Sequence, residues 1–181
     1  MDPMACWATA TKSHCCRRRS RLWQGSASSL WRLQATTASP SPPTALSGGA
    51  YGQLGHGVQQ NQLLPKKIEA LAGQRIVAVS AGARHSFALT ADGAVWSWGY
   101  GSYGRLGHGD EQRQLLPKKV EALADQRVVA VSAGLAHSFA ITADGAVWSW
   151  GYGSYGRLGQ GEDMYMSNQL LPKKIEALAG Q

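Results

Sequence analysis

The sequence predicts an all-β protein: tandem four-stranded antiparallel blades of an incomplete β-propeller, preceded by a disordered N-terminal tail. Three observations lead there. Leu63 and Leu115, Pro65 and Pro117, His85 and His137, and Trp96 and Trp148 are each 52 residues apart, and a period that uniform marks a structural unit. Each unit holds three strand patterns and one edge element, the content of a propeller blade. Residues 1–47 share neither the period nor the composition of residues 48–181.

The tail comes first in the chain. Lys12, Arg17, Arg18, Arg19, Arg21 and Arg32 face the single acid Asp2, so +5 of the net charge of +7 lies before residue 48 and only +2 after it. The repeats are close to charge-balanced, which argues against a nucleic-acid-binding face on them, since phosphate recognition needs Lys and Arg clustered in excess of local acids. Cys6, Cys15 and Cys16, the three cysteines, are all in the tail, so no disulfide framework supports the repeats. In SHCCRRRSR, His14, Cys15 and Cys16 make a poor metal set, because adjacent side chains rarely converge on one ion and no second ligand pair follows. S-acylation and nuclear import are the other readings of that cluster, and a plain solvated leader is preferred to all three.

The Ser, Thr, Pro and Arg content of the tail also fits an organelle transit peptide, whereas no apolar core follows the basic cluster as a secretory signal requires. No run approaches the roughly 18 apolar residues of a membrane span. A soluble protein of the cytoplasm or nucleus is expected, with organelle import left open by the tail. TTASPSPPTALSGG then serves as a linker to the repeats.

Within a unit, LLPKKIEAL is ambiguous. Pro65 at a first helical position, Ile68 and Leu71 three apart, and Gly73 as a stop suit a short helix; as a strand, its proline confines it to an outer edge. RIVAVSAG is short, β-branched and closed by glycine, which suits a strand buried on both faces. HSFALT alternates, with Phe87 and Leu89 on one face. ADG is a turn in which Asp92 and Gly93 are expected to take positive φ angles. AVWSWG returns with Trp96 and Trp98 on one face and Val95 and Ser97 on the other. The second unit repeats this with conservative Ile, Val and Leu exchanges that keep core volume. The third copy, starting at Asn168, is displaced by 55 rather than 52, so EDMYMS carries a three-residue loop insertion.

YGSYGRLGHG, the spacing of Pro65, Ile68 and Leu71, VVAVSAG, HSFALT and ADGAVWSWG, in this order, resemble the regulator of chromosome condensation repeat family over residues 48–181. The resemblance implies a β-propeller in which glycines turn the chain between blades and the Trp pair packs blade on blade. Propellers close with about four to eight blades, and only two full sets are counted here, preceded by an unpaired edge element from Leu63. The repeats are therefore expected to be part of a larger ring, or a unit that self-associates to complete one.

No catalytic chemistry emerges. His85 and Ser86, like His137 and Ser138, are strand neighbours whose side chains point to opposite faces, so a nucleophilic pair is not expected; each His is expected to satisfy backbone groups where its strand begins. His56 and His108 have Gln160 as their counterpart, which requires only a hydrogen-bonding residue. Asp92 and Asp144 belong to hairpins, and GYGSYG lacks the Lys and following helix of a phosphate loop. The sequence therefore predicts a non-enzyme without metal or cofactor. Its partners are other proteins, met through Arg84, Tyr100, Tyr103, Arg105, Tyr152, Tyr155 and Arg157, because Tyr and Arg combine contact area with directional polar groups.

The resemblance implies two alternatives to such a scaffold. The founding member exchanges guanine nucleotide on the small GTPase Ran, but too few blades are present here to supply an exchange face. Plant UV-B receptors share the fold and carry a recurrent Gly-Trp-Arg-His-Thr motif. Here it reads GARHS and GLAHS, with Ala83 and Leu135 where the tryptophan stands, so photoreception ranks last.

Overall fold

The computed structural model describes residues 49–161 and 168–178. The expectations placed on residues 1–47, including His14, Cys15 and Cys16, and the EDMYMS insertion lie outside the described residues. Two four-stranded antiparallel sheets follow one another, each in the order of the chain. The first is β1 (Ile76–Ala81), β2 (His85–Thr90), β3 (Val95–Gly99) and β4 (Gln114–Lys119); the second is β5 (Val128–Ala133), β6 (His137–Thr142), β7 (Val147–Gly151) and β8 (Gln169–Lys174).

The register fixes which residues share a face. Ser86 stands opposite Trp98, Ala88 opposite Trp96, Phe87 opposite Ser97 and Leu89 opposite Val95. The tryptophan face of the first blade packs Trp98 and Ala88 with Ile68 and Leu71. Its other face turns to the second blade, where Phe87, Leu89 and Val95 join Val120, Leu123, Val128, Ala140 and Trp150 in one core. Phe87 meets Trp150 edge to face, with ring centroids 5.8 Å apart, the geometry that aromatic quadrupoles favour. The sheets are also sewn together polar to polar: Ala133 N–H donates to Ser80 Oγ at 2.9 Å.

LLPKKIEAL resolves into both of its readings. QLLPKK forms the outer strands β4 and β8, with proline at the sheet edge as the missing N–H requires, and EAL makes a one-turn 3-10 helix at Glu121–Leu123 and Glu176–Leu178. The first copy of QLLPKK, residues 62–67, is not a strand; among the described residues no strand precedes it to accept its hydrogen bonds. Its Leu63 is 94% exposed, although Glu69–Leu71 keeps its turn and buries Leu71. The hairpins differ from expectation in one respect. Gly93 and Gly145 take positive φ and Asp92 and Asp144 do not, because the loop from Thr90 to Ala94 holds three residues, closed by Thr90 N–H to Ala94 O at 3.0 Å; such a loop needs a left-handed residue only at its last position.

Candidate protein-interaction face

Each blade presents two loops at the same end. His85 stands opposite Gly99 in the register, so the turn before β2, carrying Arg84, lies beside the loop after β3, carrying Tyr100, Tyr103 and Arg105. Tyr100 N–H donates to Arg84 O at 2.8 Å, and Tyr152 N–H to Ala136 O at 2.9 Å in the second blade.

The YGRLG loop latches the next blade. The carbonyl of Arg105 accepts the hydroxyl proton of Ser138 and the indole N–H of Trp150, both at 2.9 Å. One period earlier, the carbonyl of Gln53 accepts Ser86 Oγ at 2.9 Å and Trp98 Nε1 at 2.8 Å. The close approach needs glycine: a Cβ on Gly104 would stand 2.5 Å from Leu170 Cα. The side chain of Arg105 is drawn in too. It is 3% exposed, its Nε donates to Ser102 O and its guanidinium to Leu135 O, each at 2.9 Å. Arg105, a surface contact by the sequence reading, is in the structure a buried strut between blades that also lies over the Tyr100 and Tyr103 rings.

Histidine chemistry differs from the sequence expectation. His85 is fully buried, and its Nε2 lies 3.1 Å from Ser138 Oγ of the next blade rather than on a backbone group. Stacking of blades brings together a His and a Ser that strand alternation separates within either blade. The pair is not nucleophilic, since the serine proton is committed to Arg105 O and Nε2 must therefore be the donor. Burial, then the charges of Arg105 and His137, push His85 down to about 3, so it is neutral and its unpartnered Nδ1 carries no proton. His108 and Gln160 do the same work: His108 Nε2 lies 3.0 Å from Ser97 Oγ, and Gln160 Nε2 donates to Ser149 Oγ at 2.9 Å. Asp144 bonds the Thr142 hydroxyl inside its own hairpin. Among the described residues no group of three or more His, Cys, Asp or Glu is placed to hold a metal ion, and no helix is long and apolar enough to cross a membrane.

The remaining expected contacts form two tyrosine pairs. Tyr103 and Tyr152 have ring centroids 4.9 Å apart, and Arg157 lies over Tyr152 at 4.5 Å and over Tyr155 at 5.5 Å. Tyr51 and Tyr100, one period earlier, are 5.2 Å apart, with Arg84 at 4.6 Å from the Tyr51 ring and 5.8 Å from the Tyr100 ring. Arg113 lies over the same two rings at 5.8 and 5.6 Å. Sequence reasoning missed Tyr51 and Arg113, although the period itself points to Tyr51 as the counterpart of Tyr103. Tyr103 and Tyr155 have φ of 66° and 65°, a left-handed backbone that costs a bulky residue about 1–3 kcal/mol. That cost falls on the side chains that face outward, Tyr103 being 41% and Tyr155 83% exposed.

The family model for the regulator of chromosome condensation (RCC1) repeat matches residues 48–89, 92–141 and 144–181. The chain belongs to this family. It is 41% identical over 135 residues to the human E3 ubiquitin-protein ligase HERC2, covering 74% of this chain and 3% of that protein. It is 43% identical over 129 residues to the Arabidopsis thaliana ultraviolet-B receptor UVR8, covering 71% of this chain and 29% of the receptor. Among solved structures it is similar to Prp20p from Saccharomyces cerevisiae, described with its binding properties to Gsp1p and histones, with a TM-score of 0.64 and 25% identity over 73% of this chain and 33% of that one. Human WBSCR16 superposes with a TM-score of 0.59 and 28% identity over 70% of this chain and 32% of its own. The chain thus spans a third or less of these relatives, and what it shares with them is the repeat region.

Proposed function

We propose that the RCC1 repeats of this chain act as a protein-interaction scaffold without catalytic chemistry, binding other proteins through the loop end that carries the tyrosine pairs. The observation behind this reading is the half-buried to exposed tyrosine rings with arginines over them on both blades, while the histidine–serine contacts among the described residues are consumed in joining the fold. Aromatic and Arg side chains of this kind form the anchors of protein interfaces. Exchange of nucleotide on a Ran-like GTPase is the second reading, favoured by the fold shared with Prp20p, whose structure is described with Gsp1p. Light sensing ranks below it despite the similarity to UVR8, because Ala83 and Leu135 stand in the loops where the receptor motif has tryptophan.

The reading extends to self-association. Phe87, Leu89 and Val95 are covered by the second blade, whereas their counterparts leave Ile141 41% exposed and Phe139 and Val147 half-buried. A second copy carries the tryptophan face that covers this surface within one chain. To dock there, one of two identical QLLPKK segments, residues 62–67 of one copy or β8 of the other, must yield the edge of β7.

The test compares partner capture by the wild-type chain and by a Tyr100→Ala, Tyr152→Ala variant, alongside Ran nucleotide release and light scattering under ultraviolet illumination. The scaffold reading expects a partner lost in the variant, spontaneous release rates and no light response. Release well above the spontaneous rate, abolished by the same substitutions, would replace it with the exchange-factor reading.

A further inference from the structure

The two tyrosine pairs are equivalent by the repeat but not in charge. Tyr103 and Tyr152 are flanked by Arg157 and by Arg105, the latter 5.6 Å from the Tyr103 ring. Tyr51 and Tyr100 have Arg105 in the equivalent place, 5.2 Å from Tyr100, and in addition Arg84 and Arg113, both exposed and both within 6 Å of each ring. The counterparts of those two arginines are Ala136 and, after the three-residue insertion, Asn168. One chain thus displays the same aromatic platform twice, once with two extra guanidinium groups and once without.

A guanidinium stacked on an aromatic face is held flat by the ring and keeps its N–H edge free for planar acceptors. Neither Arg84 nor Arg113 has a carboxylate within ion-pair distance among the described residues. Glu111, the nearby acid, is felt by Arg105 rather than paired with either of them. Two like charges on one pair of rings repel, and a carboxylate pair would relieve that repulsion while forming charge-assisted hydrogen bonds.

Building on the scaffold reading, the geometry points to the Tyr51–Tyr100 pair with Arg84 and Arg113 as a docking site for an acidic segment of a partner protein. Carboxylates of the segment meet the two guanidinium edges and its aliphatic stems pack on the tyrosine rings. A nucleic acid fits less well, because a phosphate chain needs a stripe of positive charge and this is a compact pair of arginines on repeats that carry only +2.

Fluorescence anisotropy of the full-length chain with a labelled Glu- and Asp-rich peptide tests this, alongside the same peptide with Gln and Asn at those positions and a short oligothymidylate. The variants Arg84→Ala and Arg113→Asn install the residues of the second site, so the repeat itself shows that the fold accepts them. Expected are salt-sensitive binding of the acidic peptide, none of the amide peptide, a loss of about tenfold for each variant, and no change on Arg75→Ala, an exposed arginine at the hairpin end of the blade. The proposal is overturned if the wild-type chain ignores the acidic peptide, if the double variant binds it equally, or if the oligothymidylate binds more tightly. Should the peptide fail while Tyr100→Ala, Tyr152→Ala still removes a captured partner, the scaffold stands and only the acidic chemistry falls; loss of both results removes the scaffold reading as well.

Discussion

Phe87 and Phe139 occupy the same place in the same strand of two nearly identical units, so truncating each to alanine measures what blade-on-blade packing contributes. Phe87 is fully buried, lies edge to face with His85 at 5.4 Å and with Trp150 of the next blade at 5.8 Å. Phe139 keeps the first contact, with His137 at 5.4 Å, but no next blade covers its other side among the described residues. A buried Phe→Ala change costs about 3–5 kcal/mol, and an aromatic pair contributes roughly 0.5–1.5 kcal/mol of that kind of loss. Removing contacts on one side only should roughly halve the cost, so Phe87→Ala is expected to lose about 4 kcal/mol and Phe139→Ala about 2. At a urea dependence of about 1–3 kcal/mol per molar, the two midpoints should differ by about 1 M. Urea unfolding followed by tryptophan fluorescence, at a concentration where light scattering shows a monomer, gives the comparison. Phe87→Leu serves in place of alanine if that variant does not fold. Equal losses in the monomer would refute the assignment of one covered and one open blade face. Raising the concentration should then increase the cost of Phe139→Ala, as a second copy covers the face.

Three further outcomes are expected. Gly104→Ala should destabilise far more than Gly156→Ala, since both have positive φ but only Gly104 has backbone, Leu170 Cα at 2.5 Å, where the new methyl would lie, with nothing within 4 Å of Gly156; similar thermal shifts would contradict the latching loop. Folding pushes His85 to about 3 and His108 to about 4 from 6.5, so the unfolded chain takes up protons first as pH falls. Stability is therefore full above about pH 6.5 and lost progressively toward pH 4 and 3. His108→Gln, copying Gln160, should leave the urea midpoint unchanged at neutral pH and flatten part of that acid loss; an unaltered slope would remove His108 from the account. Deleting residues 1–47 should leave the melting midpoint of the repeats unchanged, because that stretch has no periodic apolar face whose burial would offset its ordering entropy, and a lower midpoint would show that the tail packs on the repeats.

The sequence by itself determined the local structure. The 52-residue period, the β-branched run before each glycine, the alternation in HSFALT and VWSWG, and the Asp-Gly turn settle three strands, their order and the residues on each face, because strand alternation and turn chemistry act within a few residues. What surrounds a strand was decided only in three dimensions. QLLPKK occurs three times and is a strand twice, since an edge strand exists only where a neighbour accepts its hydrogen bonds. Tyr51 and Arg113 join the candidate face, and Arg105 largely leaves it, through contacts between separate loops, Tyr51 and Arg113 with Tyr100 and Arg105 with Leu135. His85 finds Ser138 in the next blade, although alternation separates it from the serine beside it. The same letters give a buried Phe87 and a half-buried Phe139, because burial belongs to a residue and its neighbours together, and among the described residues a following blade stands against only one of them.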